Sequence, residues 1–306
     1  DILALGESLI EFSTTQSLAS AENFSKYYGG DALNTVITAS RLGSKSGYIT
    51  KIGDDYFKDF LINSWEKEDL DISNVKITGS YNGLYLISRQ LDGAKEIMYY
   101  RKKSAAALLS IDDISEEILE RTSIVYSTGI TQSLSVSARS LVKKAFSLAG
   151  DKQCQVAYDP NFTDRVWDIE EAKEAMEEII EYVDIIMLSS INDAEKLINT
   201  DSPDKIIKYF WDRGVPMVAV KMGQSGSVIG YNGEISTIPP RVVDVIDATG
   251  SGDTFNGGFL YGISNGYTAF ESARLGSFVA SEQSKGLGAI KSIPYGEQVF
   301  AEFRKI

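Results

Sequence analysis

Six short apolar runs, at residues 2–6, 47–52, 124–128, 155–158, 183–188 and 217–220, alternate with stretches of helical periodicity. Few architectures accommodate that alternation over most of a chain. Residues 171–183 show the helical half of it: Ala172, Ala175, Met176, Ile179 and Ile180 recur at helical spacing, with acids on the other face. Residues 32–42 read as a helix stopped by Gly43. A doubly wound α/β fold is expected, with a mostly parallel central sheet between layers of helices. At 306 residues and 43% hydrophobic content, the chain suits one large domain, 1–306, better than two equal halves. Two regions break the pattern. Residues 225–239 contain Asn232-Gly233 and read as an antiparallel hairpin; residues 83–101 read as another, turning at Asp92-Gly93. On this reading, a small β-sheet lid forms from about 11–28 and 83–103.

The net charge is −13, from 30 basic and 43 acidic residues, and no Lys/Arg-rich run stands out. Nucleic acid and anionic membrane surfaces are therefore poor partners. No apolar run reaches membrane-spanning length and no secretory h-region is visible, so a cytoplasmic protein is expected. The chain opens at Asp1 without Met, consistent with trimming of a few residues. A single cysteine, Cys154, excludes an internal disulfide and reads as an inert core residue. Histidine is absent altogether. That removes Ser-His-Asp and Cys-His hydrolases, His-ligated zinc and histidine general bases. Chemistry in this chain falls to carboxylates, Lys/Arg, backbone dipoles or a bound metal ion.

Two glycine-containing segments supply such groups. In Asp247-Ala248-Thr249-Gly250-Ser251-Gly252-Asp253, the residues Gly250, Ser251 and Gly252 can turn their N–H groups toward one point as a helix begins. The helix dipole adds to that anion hole, which suits a migrating phosphoryl group. Asp253, in the first turn, is placed to take a proton from an attacking hydroxyl, and the dipole should make it a weak base. Near the start, Gly29-Gly30-Asp31-Ala32-Leu33-Asn34 puts paired glycines before a helix. Close backbone approach at Gly30 and the Asn34 amide, which both donates and accepts, suit sugar hydroxyls.

Together the two segments resemble the two signatures of the ribokinase-like (PfkB) carbohydrate kinases, and the resemblance covers nearly the whole chain. It implies a ribokinase-like three-layer α/β/α fold, with Asp253 as the catalytic base and Gly250, Ser251 and Gly252 as the anion hole. ATP and Mg²⁺ follow from it, with potassium left open. The segment Lys221-Met222-Gly223-Gln224-Ser225-Gly226 looks like the family's nucleotide loop, implying ATP contacts from Lys221, Gly223, Ser225 and Gly226. Ser277 falls where an Asn often borders the adenine. The family's Asn-x-x-Glu magnesium-water motif matches Asn192 and Glu195 literally, but Ser190 and Asp193 when counted from the strand end; Asp193 or Glu195 is thus expected to act on the metal through water.

The lid segment Tyr99-Tyr100-Arg101-Lys102-Lys103-Ser104, with Gly83-Leu84-Tyr85 upstream, is similar to that of 2-keto-3-deoxygluconate kinases. The resemblance implies that Tyr85, Tyr99 and Arg101 hold an acidic sugar. Tyr99 and Arg101 lie two apart, on one face of a strand, and Arg beside phenols can bind a carboxylate. A two-residue turn at Asp92-Gly93 would send Tyr85 to the other face; a three-residue loop pairing Tyr85 with Arg101 is expected instead. After Asp159-Pro160-Asn161 those kinases usually carry Arg where this chain has Thr163, and Arg165 stands two residues further on. An ATP-dependent kinase for 2-keto-3-deoxygluconate or a close acidic keto sugar is expected, self-associating through its lid strands. A kinase for a neutral sugar such as fructose, or for a nucleoside, is the nearest alternative, and a non-catalytic sensor on the same fold a weaker one. Neither G-x-G-x-x-G after the first strand nor G-x-x-x-x-G-K-[ST] occurs, which argues against a nicotinamide dehydrogenase and a P-loop kinase.

Overall fold

The computed structural model describes residues 1–90 and 94–304, so the expected turn at Asp92-Gly93 lies outside the described residues. In chain order the strands are β1 (Ile2–Leu5), β2 (Leu9–Thr14), β3 (Ser25–Gly29), β4 (Ser46–Gly53), β5 (Val75–Thr78), β6 (Gly83–Arg89), β7 (Lys95–Tyr100), β8 (Ile124–Thr128), β9 (Gln155–Asp159), β10 (Ile185–Ser189), β11 (Met217–Lys221), β12 (Ser227–Tyr231) and β13 (Glu234–Ile238). Nine of them form one sheet in the order β13-β12-β11-β10-β9-β8-β1-β4-β5. The strands from β11 through β5 pair in parallel, and β12 and β13 add an antiparallel edge.

Parallel strands flanked by helices are buried on both faces, which is why they read as continuous apolar runs. In β1, Leu3 and Leu5 pack with Val142 and Phe146 of the helix Val136–Gly150 on one face. Ile2 and Ala4 pack with Leu33 and Val36 of the helix Asp31–Leu42, and with Phe259 of the helix Ser251–Ser264, on the other. The result is a three-layer α/β/α fold. From β1 the chain winds outward to β4 and β5, then returns to β8 and winds the other way. The strand order therefore reverses between β1 and β8, and the crevice beyond the carboxyl ends of those strands is where such sheets bind ligands. No helix among the described residues is long and apolar enough to cross a membrane.

Sequence and structure differ in detail at two helices. The first begins at Asp31 and ends at Gly43, whose φ of 111° gives a left-handed cap. The expected helix over 171–183 runs instead from Ile169 to Glu177, capped by the Asp168 side chain, and a 3₁₀ turn at Ile180–Tyr182 completes the segment. The late hairpin turns at Asn232 and Gly233, with φ of 52° and 77°, the positive values that a two-residue turn of type I′ requires.

Strands β3-β2-β6-β7 form a second, smaller sheet, drawn from within the segments 11–28 and 83–103 apart from the start of β2 and the end of β3. Its register corrects the expected pairing. Tyr85 stands opposite Tyr99, not Arg101, with ring centroids 5.7 Å apart. The ladder closes with the Gln90 N–H donating to the Ala94 carbonyl at 2.9 Å, two residues from the expected register. Because the shift is even, Tyr85 and Tyr99 keep to one face.

Candidate active site

Asp253 is the third residue of the helix Ser251–Ser264, whose N-cap, Gly250, has φ of 78°. Asn34 lies one turn into the first helix, and its Nδ2 donates to Asp253 Oδ2 at 2.8 Å. The Thr35 hydroxyl lies within reach of two backbone carbonyls, Asp31 at 3.1 Å and Asp253 at 3.2 Å, and so joins the two helix starts. Asn34 Oδ1 is buried with no partner among the described residues. Such orphaned acceptors are rare in folded proteins, and one beside a carboxylate in a cleft is suited to a ligand hydroxyl. Gly30 serves the packing beneath it: a β-carbon there would stand 2.1 Å from the Glu7 carbonyl oxygen, so only glycine lets the helix start close against the β1–β2 connection.

Burial, with the Asp31 carboxylate next, raises the Asp253 pKa well above the ordinary carboxylate range. This overturns the expected weak base: desolvation and a like charge outweigh the helix dipole and the Asn34 amide. Burial also raises Asp31, in spite of hydrogen bonds from Thr128 and the Ala32 N–H. Asp31 accepts from Asn161 Nδ2 at 3.1 Å. Beside them Asp159 ends β9 and takes hydrogen bonds from Lys221 Nζ and Asn256 Nδ2, both at 2.6 Å. Lys221 Nζ lies 3.6 Å from where a β-carbon on Gly252 would stand, so its ammonium underlies the start of the late helix. Asp31, Asp159 and Asn256 had not been singled out from sequence as functional residues. Asp31 and Asp159 sit inside motifs that had been noticed, and their position at a helix start and a strand end was the available signal.

A pocket of about 470 Å³ opens on the other side of that turn. Lys221, Gly223, Gly226, Ser251, Gly252 and Ser277 line it, and the Ser277 and Ser227 hydroxyls lie 3.3 Å apart. Ser225 is exposed in the 3₁₀ turn Gly223–Ser225 and is not among the lining residues; Gln224 and Ser227 flank the pocket in its place. Phe255, Val242, Val243 and Val245 supply an apolar wall that sequence reasoning missed. The valines follow the hairpin without strand or helix periodicity, so their only signal was unpatterned apolarity. The size is within the range of small-molecule sites.

The small sheet contributes less freely than expected. Arg101 is buried at 8% exposure: its Nε donates to Glu7 at 2.6 Å, with Nη2 on the Ile130 carbonyl at 3.2 Å and Nη1 on the Ser133 hydroxyl at 3.4 Å. Its charge is thus matched by Glu7, a carboxylate whose pKa burial raises even against that partner. Tyr85 donates its hydroxyl proton to Glu11. Tyr99 is on the same face and stands near enough to Arg101, Arg165, Asp31 and Glu7 to feel their charges, although burial is what chiefly raises its pKa. Arg165 is exposed and has no carboxylate partner among the described residues.

Of the two metal-motif residues, Asp193 alone turns inward. A π-helical turn, Ser190–Ala194, places it there, and both its oxygens accept backbone N–H groups at 2.6 Å, from Phe162 and Ser189. Burial, then the Asp159 charge, push it up to about 7. Glu195 is exposed on the following turn. Among the described residues no three His, Cys, Asp or Glu side chains gather as a ready-made metal site. Cys154 is buried, and burial pushes its thiol up to about 11, which leaves it unreactive.

The family model for pfkB family carbohydrate kinases matches residues 1–295. The chain is 29% identical over 265 residues to the 2-dehydro-3-deoxygluconokinase of Thermoproteus tenax, covering 85% of this chain and 80% of that protein. It is 28% identical over 317 residues to fructokinase-1 of Zea mays, covering 99% and 98%. The structure of a ribokinase from Thermotoga maritima superposes with a TM-score of 0.83 at 23% identity, covering 99% of each chain.

Proposed function

The chain belongs to the pfkB family of carbohydrate kinases and is a sugar kinase, and from that premise we propose that it uses ATP and Mg²⁺ to phosphorylate an acidic keto sugar, 2-keto-3-deoxygluconate or a close relative. The observation that carries the substrate class is Arg165. In a chain of net charge −13, an exposed guanidinium with no carboxylate partner among the described residues lies near enough to Tyr99 for its charge to be felt there. A carboxylate on the sugar would complete it through a charge-assisted pair. Arg101, held by Glu7, orients the same wall and offers its remaining N–H capacity. At the far end, Asn34 Oδ1 and Asp31 accept hydrogen bonds from hydroxyls of the sugar, with Gly30 letting the helix start that carries them close against the β1–β2 connection. Tyr85 holds the Glu11 carboxylate behind them.

The attacking hydroxyl gives its proton to Asp253 as its oxygen bonds to the γ-phosphorus. The bond from that phosphorus to the bridging oxygen breaks, and its electron pair leaves on ADP. Gly250 and Gly252 present N–H groups to the phosphoryl oxygens, and Lys221 supports them from below; the Ser251 N–H, expected as a third donor, is taken by the Ala248 carbonyl at 3.1 Å. The apolar wall at Val242–Val245 takes the base, with Gly223, Gln224, Gly226, Ser227 and Ser277 around it. Mg²⁺ supplies charge neutralisation of the phosphates. Each Asp193 oxygen keeps a lone pair after its backbone hydrogen bond, which fits a water of a hydrated ion rather than a direct ligand. The small sheet acts as the lid, and Met98 and Tyr100, exposed on the face away from Tyr85 and Tyr99, form the surface through which copies would pair.

An acceptor screen tests the substrate: 2-keto-3-deoxygluconate, fructose and a nucleoside, each with ATP, for the wild type and for Arg165→Ala. The acid should be preferred, and the variant should raise KM for the acid about 10-fold or more while leaving fructose unchanged. Preference for fructose, or an indifferent Arg165→Ala, removes the carboxylate role and favours a neutral-sugar kinase.

A further inference from the structure

The β6–β7 ladder contains a local conflict: Arg89 stands directly opposite Lys95. Like charges in that position destabilise a strand pair. Arg89 is offset twice, by Glu11 at 2.9 Å and by Asp247 at 2.9 Å. Lys95 has no carboxylate within ion-pair distance among the described residues. Its Nζ instead donates to the Thr249 hydroxyl at 2.7 Å, and Thr249 in turn donates to Asp247 Oδ1 at 2.5 Å. Two of the three ammonium protons therefore remain for another acceptor.

The place of that ammonium is informative. Thr249 immediately precedes Gly250, the N-cap of the late helix. Lys221 approaches the same turn from the large sheet, but Asp159 neutralises it at 2.6 Å. We propose that Lys95 is a further residue of the transfer site, bringing from the small sheet a positive charge, with no carboxylate in direct contact among the described residues, to the γ-phosphoryl group held at Gly250–Gly252. Arg89 positions it, by tying β6 to the loop that enters the anion hole. The crowding is electrostatic as well: partial burial lowers the Lys95 pKa, the Asp247 carboxylate beyond Thr249 works against it, and the guanidiniums of Arg89 and Arg165 lower it further, a condition an arriving anion relieves. The inference rests on the reading of Gly250–Gly252 as the γ-phosphate site. The sugar carboxylate is the other anion within reach, and Arg165 answers it.

Calorimetric titration of ATP and ADP, each with Mg²⁺ and without sugar, into the wild type, Lys95→Ala, Lys95→Arg and Gly252→Asp decides the matter. Lys95→Ala should weaken ATP by about 10- to 100-fold and leave ADP unchanged, with Lys95→Arg recovering most of the loss. Turnover should fall alike with acidic and neutral acceptors. Equal effects on ATP and ADP, or none, overturn the assignment; so does a loss confined to acidic acceptors, which would give Lys95 to the sugar. Gly252→Asp sets a carboxylate in the turn itself. If that variant keeps its preference for ATP, the γ-phosphate reading fails; if it loses the preference while Lys95→Ala keeps it, only the role of Lys95 fails.

Discussion

Asp253 sits between two opposed influences. The helix start and the Asn34 amide favour its ionised form, while burial and the Asp31 carboxylate favour the protonated one, and the second pair dominates. A base whose pKa is raised holds a proton more firmly once it has taken it, which suits a step that must deprotonate an alcohol near neutral pH. Asp253→Asn should lower kcat by about 10²–10⁴ with ATP affinity retained. Near-normal turnover would take the base role away. Asp253 accepts a proton only when ionised, so kcat/KM should fall as pH drops through its raised pKa. In Asp31→Asn the like charge is gone, and that acid limb should move to lower pH. A pH profile that keeps its acid limb in place would show that Asp31 does not act on Asp253.

The helices Ser251–Ser264 and Ala269–Gln283 carry this chemistry on a close backbone contact. A β-carbon on Gly258 would stand 2.9 Å from the Gly276 Cα, and one on Gly276 would stand 2.7 Å from the Phe255 carbonyl oxygen. Phe255 lines the pocket proposed for the nucleotide, so a wedge between the helices reaches that site. Gly276→Val should destabilise the fold by about 1–3 kcal/mol through overpacking and should also weaken ATP binding; chemical denaturation and an ATP titration measure the two. No change in either would mean that the pair can separate without cost. Elements of this kind were largely legible in the sequence. Strands buried on both faces announce themselves as apolar runs, the Asn232-Gly233 turn dictates its hairpin, and the Gly250–Gly252 run marks the start of a helix. What was not legible is tertiary pairing. Glu7 and Arg101 are 94 residues apart, and Lys221 and Asp159 are 62 apart, and nothing local in either segment shows that one charge is taken by the other. The β6–β7 register failed for a related reason: it is fixed by where the loop closes, at Gln90 and Ala94, and not by the aromatic residues that made the strand visible.

Across the whole molecule the site concentrates acids where water is scarce. Burial raises Glu7, Asp31, Asp193 and Asp253 above the ordinary carboxylate range, with Asp193 pushed up to about 7. Hydrogen bonds and cations hold Asp71, Asp113, Asp247 and Glu282 below it. The two groups act on stability with opposite signs. A raised carboxylate binds its proton more tightly folded than unfolded, so its contribution is full below the unfolded pKa of about 4 and is lost as pH rises through the folded value. A depressed carboxylate contributes above about pH 4, and that contribution is lost as pH falls through the folded value. Stability should therefore be greatest near about pH 4 and decline as pH rises from there through about pH 7, where Asp193 ionises in the folded protein. The net charge of −13 pushes the same way, because every ionised acid adds self-repulsion. Salt separates the two causes. Screening weakens repulsion between exposed charges far more than it relieves a buried carboxylate. Thermal unfolding followed at about pH 5.5 and about pH 8 should give the higher Tm at the lower pH, and a substantial part of the difference should survive high salt. A Tm that rises with pH over that interval would mean that the acids of the crevice are solvated and paired in the folded protein, and would remove the basis for a strongly basic Asp253. A difference that vanishes in salt would assign it to the surface instead.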